Sequence, residues 1–416
     1  MKILVLSHYF WPEPIPKPLE LAEALRDEGH VVQIVTGFPN YPDGKLYSGF
    51  ALRPFRRDTV AGIPVIRTFM YPSHGTSLVG RMLNYASFML SSIAGGLVAG
   101  PFDVMYVWHP PLSIGVAAAA ISVIRRRGFV YDVQDIWPES AIATGFLRPG
   151  RMVGWMARLE KFVYDHAAHI LVVTEGAKAN LVGKGVPEQK ITVAPHWYDD
   201  AELRQTDAAQ RDIVRVGETW QDRFVVMFAG NMGLLQGLDT VVHACRELPL
   251  RSNILVAMVG DGVDTPRLRE LAKDLAVDDR IRFITRRSPA EMARYFAAAD
   301  ALLVHLRASP LAPLIIPSKT MAYLAAGKPI VMASVGAAAD IVAKAGAGLV
   351  LPPDDPKGLA RAMTEMAELS VVERARMGQR GRQFFEANFT KDATLPVYIA
   401  ALRRSAAGAG GRARDR

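Results

Sequence analysis

At 416 residues the chain is too long for one compact domain, and a prior of roughly 150 residues per domain favours two. Half of it is apolar, 22% is charged and the net charge is +8, a globular composition that excludes disorder, collagen and a coiled-coil rod. The single cysteine, Cys245, excludes an intramolecular disulfide framework and a cysteine zinc cluster.

The opening Lys2-Ile3-Leu4-Val5-Leu6 reads as a buried strand. It runs into Pro12, Pro14, Pro16 and Pro18 with no long apolar region, so no secretory signal is expected and the chain is read as cytoplasmic. Residues 19–28 have helical spacing, Gly29-His30 stops the helix, and Val31 to Thr36 is a second β-rich run. Strand, helix, strand within 36 residues is a βαβ unit and implies a parallel sheet. The apolar stretches 82–100 and 113–124 are diluted or too short to span a bilayer, so no transmembrane helix is expected. Strands follow at 104–107, 129–133, 170–174 and 191–194, with helices at 113–125, 151–166 and 177–183. These elements make one doubly wound domain over 1–198.

Residues 199–222 are polar without a clear period and read as a linker. A second doubly wound domain over 223–375 starts with the strand 224–229 and the turn Gly230-Asn231-Met232-Gly233. Further strands are expected at 254–260, 281–284, 301–305, 330–333 and 348–351, with helices at 237–248, 266–275, 318–326 and 337–343. Helices 371–388 and 393–403 follow. Residues 1–200 carry 19 Lys+Arg against 17 Asp+Glu, whereas 403–416 carry five Arg against one Asp. The segment 404–416 therefore reads as a basic disordered tail, either a solubilising end or a contact for anionic lipid. No aromatic-interleaved basic motif suggests nucleic acid. Two open α/β sheets hold ligands at the carboxyl ends of their strands, and two such edges facing each other would form an interdomain cleft.

Several segments are similar to known proteins: LSHYFWPEP at 6–14, GFPNYPDG at 37–44, YDVQDIWPES at 131–140, LVVTEG at 171–176, GNMGLLQGLDTVVHA at 230–244, VGDG at 259–262, PSKTMAYLAAGKPIVMAS at 317–334 and AGAGLVLPPDD at 345–355. In order and spacing they resemble the retaining, family 4 glycosyltransferases of the GT-B architecture. They look most like the bacterial branch with N-acetyl-L-fucosaminyltransferases and colanic-acid-type transferases. The resemblance implies a nucleotide-sugar donor, of UDP type, in the second domain. It also implies a polyprenyl-diphosphate-linked glycan acceptor in the first, and no bound metal or other cofactor. The product would belong to a surface polysaccharide such as O-antigen, capsule or exopolysaccharide. By the same analogy the helices 376–403 return to the first domain.

The donor candidates are the glycine turns and one lysine. Gly230 and Gly233 flank a strand-to-helix turn whose amides could face a diphosphate, and Gly260 and Gly262 offer a second. Each glycine could equally be a bend that needs φ > 0. Lys319 follows Ser318 at a helix start, where the dipole disfavours a cation, so a diphosphate would compensate it. Under the plain alternative Ser318 is the N-cap and Lys319 is solvated. The family's usual Arg and Lys for the diphosphate correspond to Asn231 and Gln236 here. Its usual ribose-binding Glu corresponds to Ala322, and a second acidic position to Ala337. Those alanines leave a second reading open, a donor-degenerate, non-catalytic partner of a polysaccharide machine. In the first domain Asp135, Glu139 and His109 end strands and are the catalytic candidates, each also readable as packing. The apolar arc around 81–97, with arginines in the same half, suits either an ordinary core helix or peripheral contact with an anionic membrane at its inner face.

Overall fold

The computed structural model describes residues 1–74, 77–143, 150–204 and 208–411. The chain divides into two compact units, 1–194 with 395–416, and 195–394.

In the first unit the chain order is β1 (Lys2–Ser7), α1 (Lys17–Asp27), β2 (Val31–Gly37), β3 (Phe55–Val60), β4 (Ile63–Thr68), α2 (Leu78–Val98), β5 (Val104–Trp108), α3 (Leu112–Arg125), β6 (Phe129–Val133), α4 (Glu139–Ala143), α5 (Arg151–His166), β7 (His169–Val172), α6 (Glu175–Gly183) and β8 (Ile191–Val193). The sheet order is β3-β4-β2-β1-β5-β6-β7-β8. All neighbours are parallel except β3 and β4. Strands buried on both faces of a parallel sheet read as continuous apolar runs, which is why β1, β5 and β6 were legible. The β3–β4 hairpin was not. Its edge strand FRRDTV is charged, and the turn residues Ala61 and Gly62 lack the usual Asn-Gly signature although both have positive φ. The apolar stretch 82–100 forms most of the helix α2. Gly95 and Gly96 cost about 1 kcal/mol each in a helix interior, but they permit close approach. A Cβ at Gly95 would lie 2.7 Å from Thr68, and one at Gly96 2.5 Å from Ile121.

The second unit contains α7 (Ala201–Arg204), α8 (Ala208–Gly217), β9 (Phe224–Ala229), α9 (Leu238–Glu247), β10 (Ile254–Val259), α10 (Thr265–Asp274), β11 (Ile281–Ile284), α11 (Pro289–Ala298), β12 (Ala301–His305), α12 (Ser318–Ala325), β13 (Ile330–Ala333), α13 (Ala337–Ala345), β14 (Gly348–Leu351), α14 (Pro356–Glu368) and α15 (Val371–Asn388); the last helix, α16 (Lys391–Gly411), starts in it and passes to the first unit at Leu395. Its sheet runs β11-β10-β9-β12-β13-β14, all parallel. An apolar cluster lies on each face, one holding Trp220, Tyr323 and Phe385, the other Phe228, Leu238 and Met258.

Three boundaries differ from the sequence reading. The expected linker 199–222 contains α7 and α8 and is integral to the second unit. Buried Arg215 donates to Ala298 O, Trp220 O and Arg223 O at 2.7–2.8 Å and meets Asp300 at 3.1 Å. Beside the core residue Trp220, the segment is tied inward by this buried arginine, which hydropathy spacing does not show. The expected returning helices 376–403 split: α15 stays with the second unit, where Arg382 donates to Ala325 O and Asp200, and the chain joins the first unit only from Leu395. The expected disordered tail 404–416 is helical as far as Gly411, while 412–416 lie outside the described residues. Leu395, Tyr398, Ile399 and Leu402 bury one face of α16, and Tyr398 donates to Ala194 O at 3.3 Å.

Candidate functional site

In the second unit the donor candidates converge at the carboxyl ends of β9, β10 and β12. Gly230 and Gly260 extend their strands with φ of +134° and +137°. The two glycine turns lie against each other. A Cβ on Gly260 would sit 2.1 Å from Gly230 O, and one on Gly262 2.3 Å from Met232 O. Met232 N donates to Asp261 O at 3.0 Å and Asp264 N to Met232 O at 3.1 Å. Gly260 and Gly262 are thus required by close backbone approach, whatever binds above them. Gly233 has ordinary extended φ, and the exposed Asn231 amide folds back toward it.

Lys319 rises from the first turn of α12 beside Gly230, its Nζ 3.7 Å from where a Cβ on that glycine would be. The ammonium donates to Gln236 Oε1 at 2.5 Å and lies 4.0 Å above the Phe228 ring centroid. Among the described residues no carboxylate pairs with it, and burial lowers its pKa to about 7. A neutral amide and an aromatic face are weak compensation for a desolvated ammonium. Ser318 is not the cap: the N-cap is Pro317, no side chain caps α12, and Ser318 is exposed in the first turn. An anion placed there would meet uncapped helix amides and an uncompensated cation.

Neighbouring residues hold this arrangement. The Tyr323 hydroxyl accepts from Ala229 N at 2.8 Å and donates to Ala229 O at 3.2 Å, pinning α12 to the end of β9. Buried His305 bonds Gln236 O through Nδ1 at 2.6 Å and accepts from Asp354 N through Nε2 at 3.2 Å. Those partners require the neutral Nδ1–H tautomer, and burial lowers the imidazole pKa in agreement. Arg307 donates to both oxygens of Asp239 at 2.7 Å, tying the β12 end to α9. Ala322 is 7% exposed and part of the core cluster. Ala337 N donates to Ala312 O at 3.2 Å, and Asp340 is exposed.

The first unit separates its three candidates. Asp135 follows the end of β6, partly buried, with no hydrogen-bond or ion-pair partner among the described residues, and desolvation raises its pKa. Glu139 is engaged. Lys184 Nζ lies 3.0 Å from both Glu139 and the buried Glu160 and donates to Trp137 O at 2.9 Å. The Glu139 carboxylate neutralises a lysine that Glu160 also needs. His109 is 2% exposed, packed edge-on to Tyr131, with its pKa lowered to about 3 by burial. The imidazole there is neutral and enclosed.

Two acids escaped the sequence reading. Fully buried Asp132 accepts from the Tyr106 hydroxyl, and burial pushes its pKa up to about 7. Glu13 accepts from the backbone N–H of Phe10 at 3.0 Å, Asn40 at 2.7 Å and Tyr41 at 2.9 Å. It joins the loop after β1 to the loop after β2, and Arg67 supports the same place through Trp11 O and Gly37 O. The aromatic rings of Tyr9, Tyr41 and His74 close over these loops.

Comparison with known proteins accounts for both units. Residues 17–197 match the description "Glycosyl transferase 4-like domain", and 210–384 match "Glycosyl transferases group 1". The chain is 28% identical over 280 residues to a probable glycosyltransferase, WbjE, of Pseudomonas aeruginosa, covering 66% of this chain and 68% of that one. It is 24% identical over 345 residues to a putative colanic acid biosynthesis glycosyl transferase, WcaI, of Escherichia coli, covering 79% and 82%. Its fold is similar to that of Anabaena HepE, solved in complex with UDP, with a TM-score of 0.72 at 18% identity over 97% of this chain and 100% of that one. The chain thus has the GT-B architecture, and each of its two Rossmann-like units is matched by a glycosyltransferase domain.

Proposed function

We propose that the enzyme transfers a sugar, with retention, from a UDP-type donor to a lipid-linked glycan acceptor in surface polysaccharide assembly, at the inner face of the cytoplasmic membrane. An N-acetylated deoxyhexosamine such as N-acetyl-L-fucosamine is the donor sugar that the sequence resemblance favours. Lys319 carries the reading: a cation with no carboxylate partner among the described residues, cradled by Gln236 and Phe228 at the carboxyl edge of a parallel sheet beside uncapped helix amides. In this reading the donor diphosphate takes the place that the carboxylate lacks. As the glycosidic bond breaks, charge grows on the leaving diphosphate, and Lys319 with the α12 amides stabilises it. Asp135, with no competing partner among the described residues, accepts a hydrogen bond from an acceptor or sugar hydroxyl and orients it. The relatives WbjE and WcaI, by their names, and the UDP complex of HepE support the transferase class and the nucleotide.

The degenerate-partner reading rests on Ala322, which is packed in the core and offers nothing to a ribose hydroxyl. A charged hydrogen bond lost there is worth about 1.5–3 kcal/mol. Calorimetric titration with UDP, beside Lys319→Ala, decides between the readings. Micromolar binding that falls at least about tenfold in the variant is expected of the transferase. No heat with UDP, GDP or dTDP is expected of the degenerate partner.

A further inference from the structure

The helices α2, α3 and α5 carry consecutive crossovers, β4 to β5, β5 to β6 and β6 to β7, in one direction along the sheet. Right-handed connections in one direction put all three on the same side. They touch in series: Gly96 of α2 meets Ile121 of α3, and Gly115 of α3 meets Val163 of α5. Their outer surface is apolar. On α2, Val79, Met82, Leu83 and Leu90 fall on one stripe, with Val79 68% and Leu90 65% exposed. On α5, Met152, Trp155 and Phe162 form a second stripe, with Trp155 60% exposed, and Val123 of α3 is exposed near the end of the helix between them. A soluble surface rarely shows such a set without a partner.

The charges around the stripes have one sign. Neither α2 nor α3 contains a carboxylate. Arg126, Arg127, Arg151 and Arg158 are exposed. On α5 Glu160 is buried on Lys184, and Asp165 is paired with Lys161 at 2.9 Å. A second copy of the chain would bring arginines against arginines. An anionic surface would satisfy the rim and the stripes together. No described helix is long and apolar enough to cross a membrane, so the surface would lie on a bilayer rather than enter it as a span.

We propose that the outer face of α2, α3 and α5 is the surface by which the protein lies on an anionic lipid bilayer, the apolar stripes entering the interface and the arginine rim meeting lipid phosphates. The proposal deepens the reading of a lipid-linked acceptor and rests on it for its purpose, but its test does not. Purified full-length protein is floated with vesicles of phosphatidylcholine mixed with phosphatidylglycerol, and of phosphatidylcholine alone, at low and high salt. Neither nucleotide nor acceptor is present, so failure of the transferase reading leaves this result untouched. Binding to the anionic vesicles, weakened by salt, is expected. Leu83→Asp with Leu90→Asp should lower it at least about tenfold. Arg127→Glu with Arg158→Glu should lower it and abolish the salt dependence. All four positions face solvent in part or fully, so circular dichroism melting should be unchanged. Absence of vesicle binding, or equal binding by wild type and both variants, overturns the proposal. So does a wild-type dimer in light scattering that the leucine variant breaks, which would make this face an interface between copies.

Discussion

On the proposed reading, Lys319 should make donor binding pH-dependent in a window where the diphosphate itself does not titrate. Burial holds its pKa near 7 in the free protein, against 10.5 for an ordinary lysine. A bound diphosphate removes most of that penalty and returns the pKa toward 10. The second ionisation of a terminal phosphate is complete above about pH 6–7. From pH 7 to 9 the only change in this pair is loss of the proton from free Lys319. The protonated fraction falls from about one half to about one hundredth, so UDP affinity should fall about fifty-fold, close to tenfold per unit at the upper end. The sign follows from the lowered pKa: the bound state holds the proton that the free state has lost, so raising the pH opposes binding. Calorimetry at pH 7, 8 and 9 in two buffers of different ionisation heat would report the slope and one proton taken up per UDP at high pH. Lys319→Ala should bind weakly with no slope. An affinity flat from pH 7 to 9, or a slope retained in the variant, would refute the placement of the diphosphate on this lysine.

Other consequences follow from the buried acids and their partners. Asp132, raised from 3.8 to about 7, is protonated in the folded protein and ionised in the unfolded chain between those values. The folded state therefore binds more protons there, and stability should decline from pH 4 to 7 by up to about 4 kcal/mol. Asp132→Asn should remove that decline, so urea midpoints of variant and wild type should diverge between pH 5 and 8; parallel profiles would contradict the assignment. Lys184→Met should destabilise by about 3–5 kcal/mol at neutral pH, because Glu160 is left buried and charged. A smaller cost at pH 4, where Glu160 can protonate, would be the accompanying signature. Glu13→Ala should cost at least about 2 kcal/mol in thermal unfolding by stranding buried backbone donors, while Glu13→Gln, which keeps one acceptor, should cost less. Tyr323→Phe should cost about 1 kcal/mol and weaken UDP binding, since α12 loses its tie to Ala229.

The sequence exposed the parts of this fold whose cause is local. Parallel strands buried on both faces, such as β1 and β9, leave long apolar runs, and the glycines at 260 and 262 sit where the backbone must approach itself. What stayed hidden depends on contacts distant in the chain. The β3 edge strand is charged, with Asp58 turned to the buried Arg67, and α8 is anchored by Arg215 on Ala298 O, 83 residues away. Nothing in YDVQDIWPES signals that Glu139 pairs with Lys184. Asp132, three residues from the candidate Asp135, was passed over because its burial is set by Tyr106 and the helix α16. Lys319 was legible as an anomaly, a cation at a helix start, but its cradle of Gln236 and Phe228 required the fold.

The most direct test of the transferase reading is UDP release from a panel of UDP-sugars, with and without a lipid-linked glycan extract, beside Asp135→Asn and Lys319→Ala. The account predicts release from one sugar nucleotide that requires the lipid fraction and drops at least about a hundredfold in Lys319→Ala. It predicts a smaller fall in Asp135→Asn. Tight UDP binding with no release from any sugar nucleotide, whatever lipid is supplied, would contradict it.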